Sequence, residues 1–88
     1  MNDAGAVTVY GRPGCHLCDE ALAVVQPVAG RLGVAVREVN IETDEALLRR
    51  YLEAIPVICV GEVEVTRLVG YRRSGFAGRL EELVRDSY

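Results

Sequence analysis

The chain from residue 6 to residue 18 reads Ala-Val-Thr-Val-Tyr-Gly-Arg-Pro-Gly-Cys-His-Leu-Cys. The run up to Tyr10 is rich in β-branched side chains and predicts a short strand. Gly11–Gly14 then stop this strand, because glycine and proline both resist continuing one. From about Cys15 to Leu32, apolar residues recur every three or four positions, which predicts a helix with one buried face. The first two cysteines therefore lie where a strand ends and a helix begins.

The predicted helix carries acidic residues at its start and helix-breaking residues near its end. Asp19 and Glu20 lie in the first turn, where the helix dipole favours acidic side chains. Pro27 removes one backbone hydrogen bond, so we expect it to kink the helix or to end it early. Gly30 and Gly33 follow and supply the stop.

Similar patterns locate the next two elements. Residues 34–41, which read Val-Ala-Val-Arg-Glu-Val-Asn-Ile, predict a second strand. A second helix is expected over about residues 44–52, with Thr43 as its N-cap and acidic residues in its first turn.

The last third of the chain predicts a hairpin and a final helix. The apolar run Val57–Val60 is joined by a Gly-Glu dipeptide to a further strand over Val63–Val69, which makes the pair a β-hairpin. The last helix is expected over about Phe76–Arg85, with Ser74 as its cap.

The predicted order of elements is β-α-β-α-β-β-α. This order is typical of an α/β protein with a four-stranded mixed sheet and helices on both faces. A right-handed crossover through the first helix makes the first two strands parallel neighbours, and the hairpin adds an antiparallel edge. The chain has 88 residues and no linker or repeat, so we expect a single domain over residues 1–88.

Composition and charge narrow the classes of function. Half of the residues are apolar and 26% are charged, so the chain can bury a core. The formal net charge is −3 and all ten basic residues are arginines spread along the chain, which argues against nucleic acid as a partner. The sequence shows no signal peptide and no apolar run of the roughly 18 residues that span a membrane. We expect a cytoplasmic monomer that binds neither membranes nor nucleic acid.

The spacing of Cys15 and Cys18 has a chemical use at the start of a helix. Only a thiolate attacks a disulfide, and a free cysteine with a pKa of about 8.5 is mostly protonated at neutral pH. Unpaired N–H groups and the positive end of the helix dipole stabilise the thiolate there. Cys15 is nearer the helix start and is predicted to be the nucleophile. Cys18 lies almost one turn further on, and is predicted to be the buried thiol that resolves a mixed disulfide.

Two other interpretations of the motif stay open. His16 lies beside the nucleophile and would favour the thiolate when protonated, or it is merely exposed at the helix start. The cysteines could also bind a metal, but a structural zinc site needs four ligands and Cys-x-x-Cys supplies two. Cys59 and His16 add no second pair at the spacing of a zinc site, so we predict redox chemistry and no metal. Cys59 is predicted to be a core residue.

Two segments of the sequence resemble the small glutaredoxin-like proteins of the thioredoxin superfamily. They are Tyr10–Ala21, which holds the Cys-x-x-Cys motif, and Ala54–Val57, which reads Ala-Ile-Pro-Val. The resemblance implies a thioredoxin-like fold over most of the chain. It also implies a cis peptide bond before Pro56, and X–Pro is the bond for which cis costs only about 0.5–1 kcal/mol. Pro56 would lie against the cysteines, and the backbone of Ile55 would be free to pair with an extended substrate.

The same resemblance leaves the glutathione site half complete. Arg12 matches the basic position that meets a glutathione carboxylate and is expected to polarise the site, and Tyr10 matches a family aromatic. The family's Thr-Val-Pro is absent, as is its Gly-Gly followed by Ser/Cys-Asp. Gly70 and Tyr71 are closer to thioredoxins and to the small redoxins that reduce ribonucleotide reductase, and are expected to line the substrate groove. The buried acid of thioredoxins is missing, because Val9 occupies the matching position.

These features together predict a thiol–disulfide oxidoreductase that uses Cys15 and Cys18 and needs no cofactor, with glutathione as a candidate co-substrate. Its expected substrates are disulfide-containing proteins or glutathione mixed disulfides. Its expected reductant is glutathione or a reductase of the thioredoxin-reductase type. Two other classes of function fit the same fold. One is a module that holds a metal or an Fe–S centre on the cysteines of two chains, and the other is a partner-binding domain whose cysteines are redox-silent.

Overall fold

The structure is a computed structural model that describes residues 6–87, and it arranges them as an α/β fold. Two short 3₁₀ turns, Ile41–Thr43 and Leu68–Arg72, precede the second and third helices. Within residues 6–87, no helix is both long enough and apolar enough to cross a membrane. The order of elements confirms the predicted β-α-β-α-β-β-α arrangement: β1 (Val7–Gly11), α1 (His16–Leu32), β2 (Val36–Asn40), α2 (Glu45–Tyr51), β3 (Val57–Val60), β4 (Val63–Arg67) and α3 (Phe76–Asp86).

The four strands form one mixed sheet in the order β2-β1-β3-β4. β1 and β2 are parallel, because the chain between them crosses over through α1. β3 runs antiparallel to both of its neighbours, β1 and β4. The predicted crossover and the predicted hairpin are therefore both confirmed.

Three segments of the chain meet at one end of this sheet. β1 ends there at Gly11, and β3 begins there with Val57 opposite Tyr10. β4 ends at the same level, with Arg67 opposite Val57. The loop before α1, the loop before β3 and the Leu68–Arg72 turn therefore surround the same end of the sheet.

Helices cover both faces of the sheet, because the central strands carry apolar residues in both directions. Val9 and Ile58 face α1 and α3, whereas Val57 and Cys59 face α2. β3 is buried on both faces, which explains its unbroken apolar sequence. The helices contribute the rest of the larger cluster through Ala21, Val25, Val28, Phe76, Leu80 and Val84.

The first helix ends at Leu32, as its apolar spacing predicted, and it passes through Pro27, so of the two expected effects of Pro27 the early end does not occur. Proline leaves the carbonyl four residues earlier without its helical donor, and here that carbonyl belongs to Ala23. Both residues are exposed, so water can satisfy the carbonyl. Gly33 supplies the stop: with φ of 71° it donates its N–H to the carbonyls of Ala29 and Gly30.

Two predicted helix caps were also wrong. α2 is capped by Asp44, whose carboxylate accepts from the N–H groups of Ala46 and Leu47. Thr43 instead closes the preceding 3₁₀ turn, where its hydroxyl donates to a backbone carbonyl. α3 begins after Gly75, which has φ of 87° and makes no side-chain cap, so the predicted cap one residue earlier is not used.

The last strand is two residues shorter than predicted. It ends at Arg67, because Leu68 has φ of 56° and starts the Leu68–Arg72 turn. The second strand is likewise shorter than residues 34–41, with Ile41 already in a 3₁₀ turn.

Candidate active site

Cys15 and Cys18 form a disulfide at the start of α1, with their Cα atoms 5.2 Å apart. Cys15 is the N-cap of the helix and keeps an extended backbone, with φ of −90°. The N–H of Cys18 donates to the sulfur of Cys15 at 3.2 Å. This N–H is one of the orphan donors of the helix start, so the position can stabilise negative charge on Cys15 when the disulfide is reduced.

The two sulfurs differ in their exposure to solvent. Cys15 is half-buried, whereas Cys18 is 5% exposed and packs into the cluster beneath α2. Gly11 makes room for the buried sulfur, because a Cβ at Gly11 would lie 2.8 Å from the Sγ of Cys18. A large substrate can therefore approach Cys15 more readily than Cys18, as the sequence predicted.

Pro56 follows a cis peptide bond, as the resemblance to glutaredoxin-like proteins implied. The residue is fully buried, and the preceding Ile55 belongs to the same apolar cluster as Cys18. The N–H of Ile55 donates to the carbonyl of Tyr51 at 3.1 Å. The expectation of a free Ile55 backbone was therefore wrong for the N–H, which a pairing substrate strand would have to release.

Aromatic side chains line the same cluster next to the disulfide. The rings of Tyr10 and Tyr51 pack with their centroids 4.8 Å apart. Tyr10 and Cys15 both pack against the cluster that holds Cys18 and Ile55. The structure therefore brings together four residues that the sequence assigned to the site: Tyr10, Cys15, Cys18 and Ile55.

Glu20 joins the cysteine motif to the Leu68–Arg72 turn. Its Oε2 lies 2.9 Å from the Nε2 of His16, and its Oε1 accepts from the hydroxyl of Tyr71 at 2.9 Å. The same oxygen accepts from Nη2 of Arg72 at 2.6 Å and from its Nε at 3.2 Å. The sequence identified Glu20 only as a first-turn acid. The four-residue spacing from His16 was the signal that could have shown the first of these contacts.

Tyr71 and Gly70 lie near the site but pack inward. The ring of Tyr71 is 3% exposed and belongs to the core between α1, α3 and the sheet, so only its hydroxyl end reaches Glu20. Gly70 packs against Thr66, and a Cβ at this position would clash with the threonine hydroxyl. These two residues shape the turn beside the disulfide, and their place in a substrate groove stays a prediction.

Arg12 is exposed on the loop between β1 and α1, on the side of the disulfide that faces β2. It lines an open cavity of about 270 Å³ together with Cys18, Asp19 and Glu38. The carbonyl of Arg12 accepts from the N–H of Cys15 at 3.3 Å, which ties the loop to the motif. Its guanidinium supplies positive charge beside this cavity, and its role in polarising the site stays a prediction.

Glu20 and Tyr71 both have shifted pKa values. Hydrogen bonds from Arg72, and then from Tyr71, hold the pKa of Glu20 below its ordinary value. Burial, and then the hydrogen bond to Glu20, raise the pKa of Tyr71. At neutral pH the site therefore contains an ionised carboxylate and a protonated phenol.

Cys59 occupies a core position. It is 5% exposed on β3, and burial raises the pKa of its thiol, so the thiol is protonated at neutral pH. The prediction that Cys59 is a core residue is therefore confirmed. Within the described residues, no three side chains of the types His, Cys, Asp and Glu lie together as a metal site would require.

The fold and the disulfide define a thioredoxin-fold protein with a Cys-x-x-Cys pair. More narrowly, the chain belongs to the glutaredoxin-like domain family (DUF836), whose family model matches residues 6–83. No curated protein matches the chain.

Three solved structures are similar to the chain. Protein Ne2328 from Nitrosomonas europaea is 30% identical, with 84% of this chain and 86% of that protein covered and a TM-score of 0.66. Thioredoxin 1 from Thermosipho africanus is 14% identical, with 92% of both chains covered and a TM-score of 0.58. A mutant thioredoxin from Halobacterium salinarum is 20% identical, with 93% of this chain and 73% of that protein covered and a TM-score of 0.59. The two thioredoxins are similar in fold.

Proposed function

We propose that the protein is a thiol–disulfide oxidoreductase whose Cys15–Cys18 pair exchanges with disulfides of proteins or small molecules. The observation that carries the proposal is the disulfide at the start of α1, with one half-buried sulfur at the N-cap and one buried sulfur behind it. This arrangement gives one cysteine access to substrate and keeps the other within reach for the second step.

The reaction proceeds in two exchanges. In the reduced protein, the Cys15 thiolate attacks one sulfur of the substrate disulfide, which forms a mixed disulfide and releases the other substrate sulfur as a thiolate. Cys18 then loses its proton and attacks the Sγ of Cys15, which releases the second substrate thiolate and closes the intramolecular disulfide. Two electrons pass from the dithiol to the substrate, and an external thiol or dithiol reductant restores the protein.

Exposed apolar side chains near the site support protein disulfides as substrates. Leu52 is 45% exposed at the end of α2, before the segment that leads to the cis-proline. Leu68 and Val69 are each 44% exposed in the turn after β4, which ends at the same end of the sheet as the disulfide. The N–H of Leu68 donates to the carbonyl of Ala54 at 3.0 Å, which joins the two loops that carry these side chains. Apolar side chains grouped beside a reactive site favour contact with a protein surface or an extended chain.

Smaller partners and the compartment are part of the same proposal. Glutathione is a candidate co-substrate, because the exposed guanidinium of Arg12 suits a carboxylate beside the motif. The recycling reductant is glutathione or a reductase of the thioredoxin-reductase type. We place the protein in the cytoplasm, because an exchanging dithiol is maintained in a reducing compartment. We also propose that it acts as a monomer.

Reduction of insulin disulfides by dithiothreitol, followed as turbidity, tests the proposal. Wild type should accelerate the reaction, and the Cys15→Ser variant should fall to the rate of dithiothreitol alone. The Cys59→Ala variant is the matched control and should keep the wild-type rate, because its thiol is buried and protonated. A wild-type rate no higher than the dithiothreitol background would contradict the proposal, and metal analysis of the purified protein would then test the metal-binding alternative.

A further inference from the structure

We infer that Glu20 is a positioning residue for protein substrates: it fixes the Leu68–Arg72 turn to α1 and so holds the exposed side chains of Leu68 and Val69 in place beside the disulfide. The inference rests on the proposed exchange function and on the substrate contact assigned there to these two side chains, here called the apolar pair. It deepens that function, because it gives a residue outside the Cys-x-x-Cys motif a part in the recognition of protein disulfides.

Glu20 holds the end of the turn through one carboxylate oxygen. Its Oε1 accepts from the hydroxyl of Tyr71 at 2.9 Å, and from Nη2 and Nε of Arg72 at 2.6 and 3.2 Å. The Cζ of Arg72 also lies over the ring of Tyr71, 5.7 Å from its centroid. Three donors from two successive residues of the turn therefore converge on one residue of the helix that carries the cysteines.

The start of the turn is held by the segment that leads to the cis-proline. The N–H of Leu68 donates to the carbonyl of Ala54 at 3.0 Å. The apolar pair begins at this attachment and precedes the residues that Glu20 binds, and each of its side chains is 44% exposed. The position of the pair relative to the cysteines therefore depends on both attachments, and Glu20 supplies the one on the cysteine helix.

Loss of the Glu20 carboxylate would loosen the turn without unpacking the core. The ring of Tyr71 is 3% exposed and would stay buried, but its hydroxyl would lose an acceptor and Arg72 would lose its ion pair. A turn with fewer restraints samples more conformations, and it has to be ordered again when a protein substrate binds to it. This ordering weakens the binding of a protein substrate, whereas a small disulfide that meets only Cys15 is not affected.

Initial rates at varied insulin concentration test the inference, with the small disulfide hydroxyethyl disulfide as the second substrate. Glu20→Ala should raise KM for insulin about threefold and leave kcat unchanged, because it removes binding that is the same in the ground state and the transition state. The rate with hydroxyethyl disulfide should stay at the wild-type value. Glu20→Gln keeps an oxygen acceptor for Tyr71 and Arg72, so its effect on KM should be smaller.

The matched control is Glu81→Ala. Glu81 is an acid of similar side-chain exposure, 29% against 34% for Glu20, and it pairs with Arg31 at the far end of α1 and with Arg85. It makes no printed contact with the turn, so this variant should keep the wild-type KM for insulin. Circular dichroism of each variant at the assay temperature verifies that it is folded.

A combined variant shows whether Glu20 acts through the apolar pair. In the Leu68→Asn/Val69→Ser background the two apolar side chains are absent, so Glu20→Ala should raise KM for insulin no further. The same threefold rise in both backgrounds would overturn the inference, because Glu20 would then act elsewhere. An unchanged KM in the single Glu20→Ala variant, or an equal loss of rate with insulin and hydroxyethyl disulfide, would also overturn it.

Amide hydrogen exchange separates a failure of the inference from a failure of the proposed function, because it needs no turnover. The N–H groups of Leu68 and Arg73 bond within or next to the turn, to the carbonyls of Ala54 and Gly70, and should exchange several-fold faster in Glu20→Ala than in wild type. Unchanged exchange in a protein that reduces insulin would overturn the inference alone. A wild type that reduces neither disulfide would overturn the proposed function, and the inference with it.

Discussion

At the scale of single residues, the three cysteines carry the same side chain and differ in their surroundings. Cys15 is half-buried at an N-cap, Cys18 is buried one turn behind it, and Cys59 is buried within a strand. Sequence patterns could predict these placements, because each depends on whether the cysteine lies at a helix start or in an apolar strand. The role of Gly11 could not be predicted, because it depends on how closely α1 packs over the end of β1.

The Gly11→Ala substitution tests the close approach of β1 to the disulfide. The added Cβ would lie 2.8 Å from the Sγ and 3.1 Å from the Cβ of Cys18, so either the strand or the helix start must shift. We expect the free energy of unfolding in urea to fall by about 1–3 kcal/mol.

The matched control for this substitution is Gly78→Ala. Gly78 lies inside α3 and a Cβ there meets no atom within 4 Å. Alanine favours the helix, so this variant should be more stable than wild type by about 0.5–1 kcal/mol. A Gly11→Ala protein as stable as wild type would refute the tight contact.

At the scale of elements, hydrophobic periodicity and the positions of glycine and proline predicted every strand and α-helix of the described residues, but neither all of their ends nor the two 3₁₀ turns. Thr43 and Asp44 are both good caps, but Thr43 belongs to the 3₁₀ turn that Asn40 starts as its N-cap, and its hydroxyl donates to the Asn40 carbonyl. The contacts of Glu20 with Tyr71 and Arg72 could not be predicted, because they join residues more than 50 positions apart. They depend on how α1 is rotated against the Leu68–Arg72 turn.

The link between α1 and this turn predicts a pH-dependent contribution to stability. The pKa of Glu20 lies below its unfolded value of about 4.5, first because Arg72 and then because Tyr71 donates hydrogen bonds to the carboxylate. The contribution is therefore fully present above pH 4.5 and is lost as the pH falls through the folded pKa. The difference in unfolding free energy between wild type and Glu20→Gln should be largest at about pH 7 and should shrink towards about pH 3.

Urea unfolding of both proteins at several pH values in this range measures that difference. Since the carboxylate is partly exposed, the comparison is made at low ionic strength, where screening is weakest. A difference that stays constant from about pH 7 to about pH 3 would contradict the assigned cause of the Glu20 shift.

At the scale of the whole molecule, the antiparallel placement of β3 brings the cysteine loop, the cis-proline loop and the Leu68–Arg72 turn to one end of the sheet. The resemblance to glutaredoxin-like proteins, rather than the order of elements, implied that Pro56, Gly70 and Tyr71 lie beside the cysteines. The hydrogen bond of the Ile55 N–H to Tyr51 was not predictable, because it depends on how the chain leaves α2.

The apolar side chains at this end of the molecule should affect protein substrates more than small ones. Leu68→Asn combined with Val69→Ser removes apolar contact area, and asparagine tolerates the left-handed backbone of Leu68. We expect kcat/KM for insulin to fall roughly fivefold, equivalent to about 1 kcal/mol of lost contact, and the rate with hydroxyethyl disulfide to stay unchanged.

Val63→Thr is the matched control for the apolar pair. Val63 is 51% exposed at the opposite end of the sheet, so this change should affect neither substrate. An equal loss of activity with insulin and with the small disulfide would instead indicate damage to the redox pair.

Trapping of the mixed disulfide tests the central claim most directly. The Cys18→Ser variant lacks the resolving thiol, so after reduction and exposure to insulin it should accumulate a covalent adduct that dithiothreitol releases. Peptide mapping by mass spectrometry under non-reducing conditions should place the adduct on Cys15, and the Cys15→Ser variant should form none. The absence of an adduct in Cys18→Ser, or an adduct attached to Cys59, would contradict the assignment of Cys15 as the nucleophile.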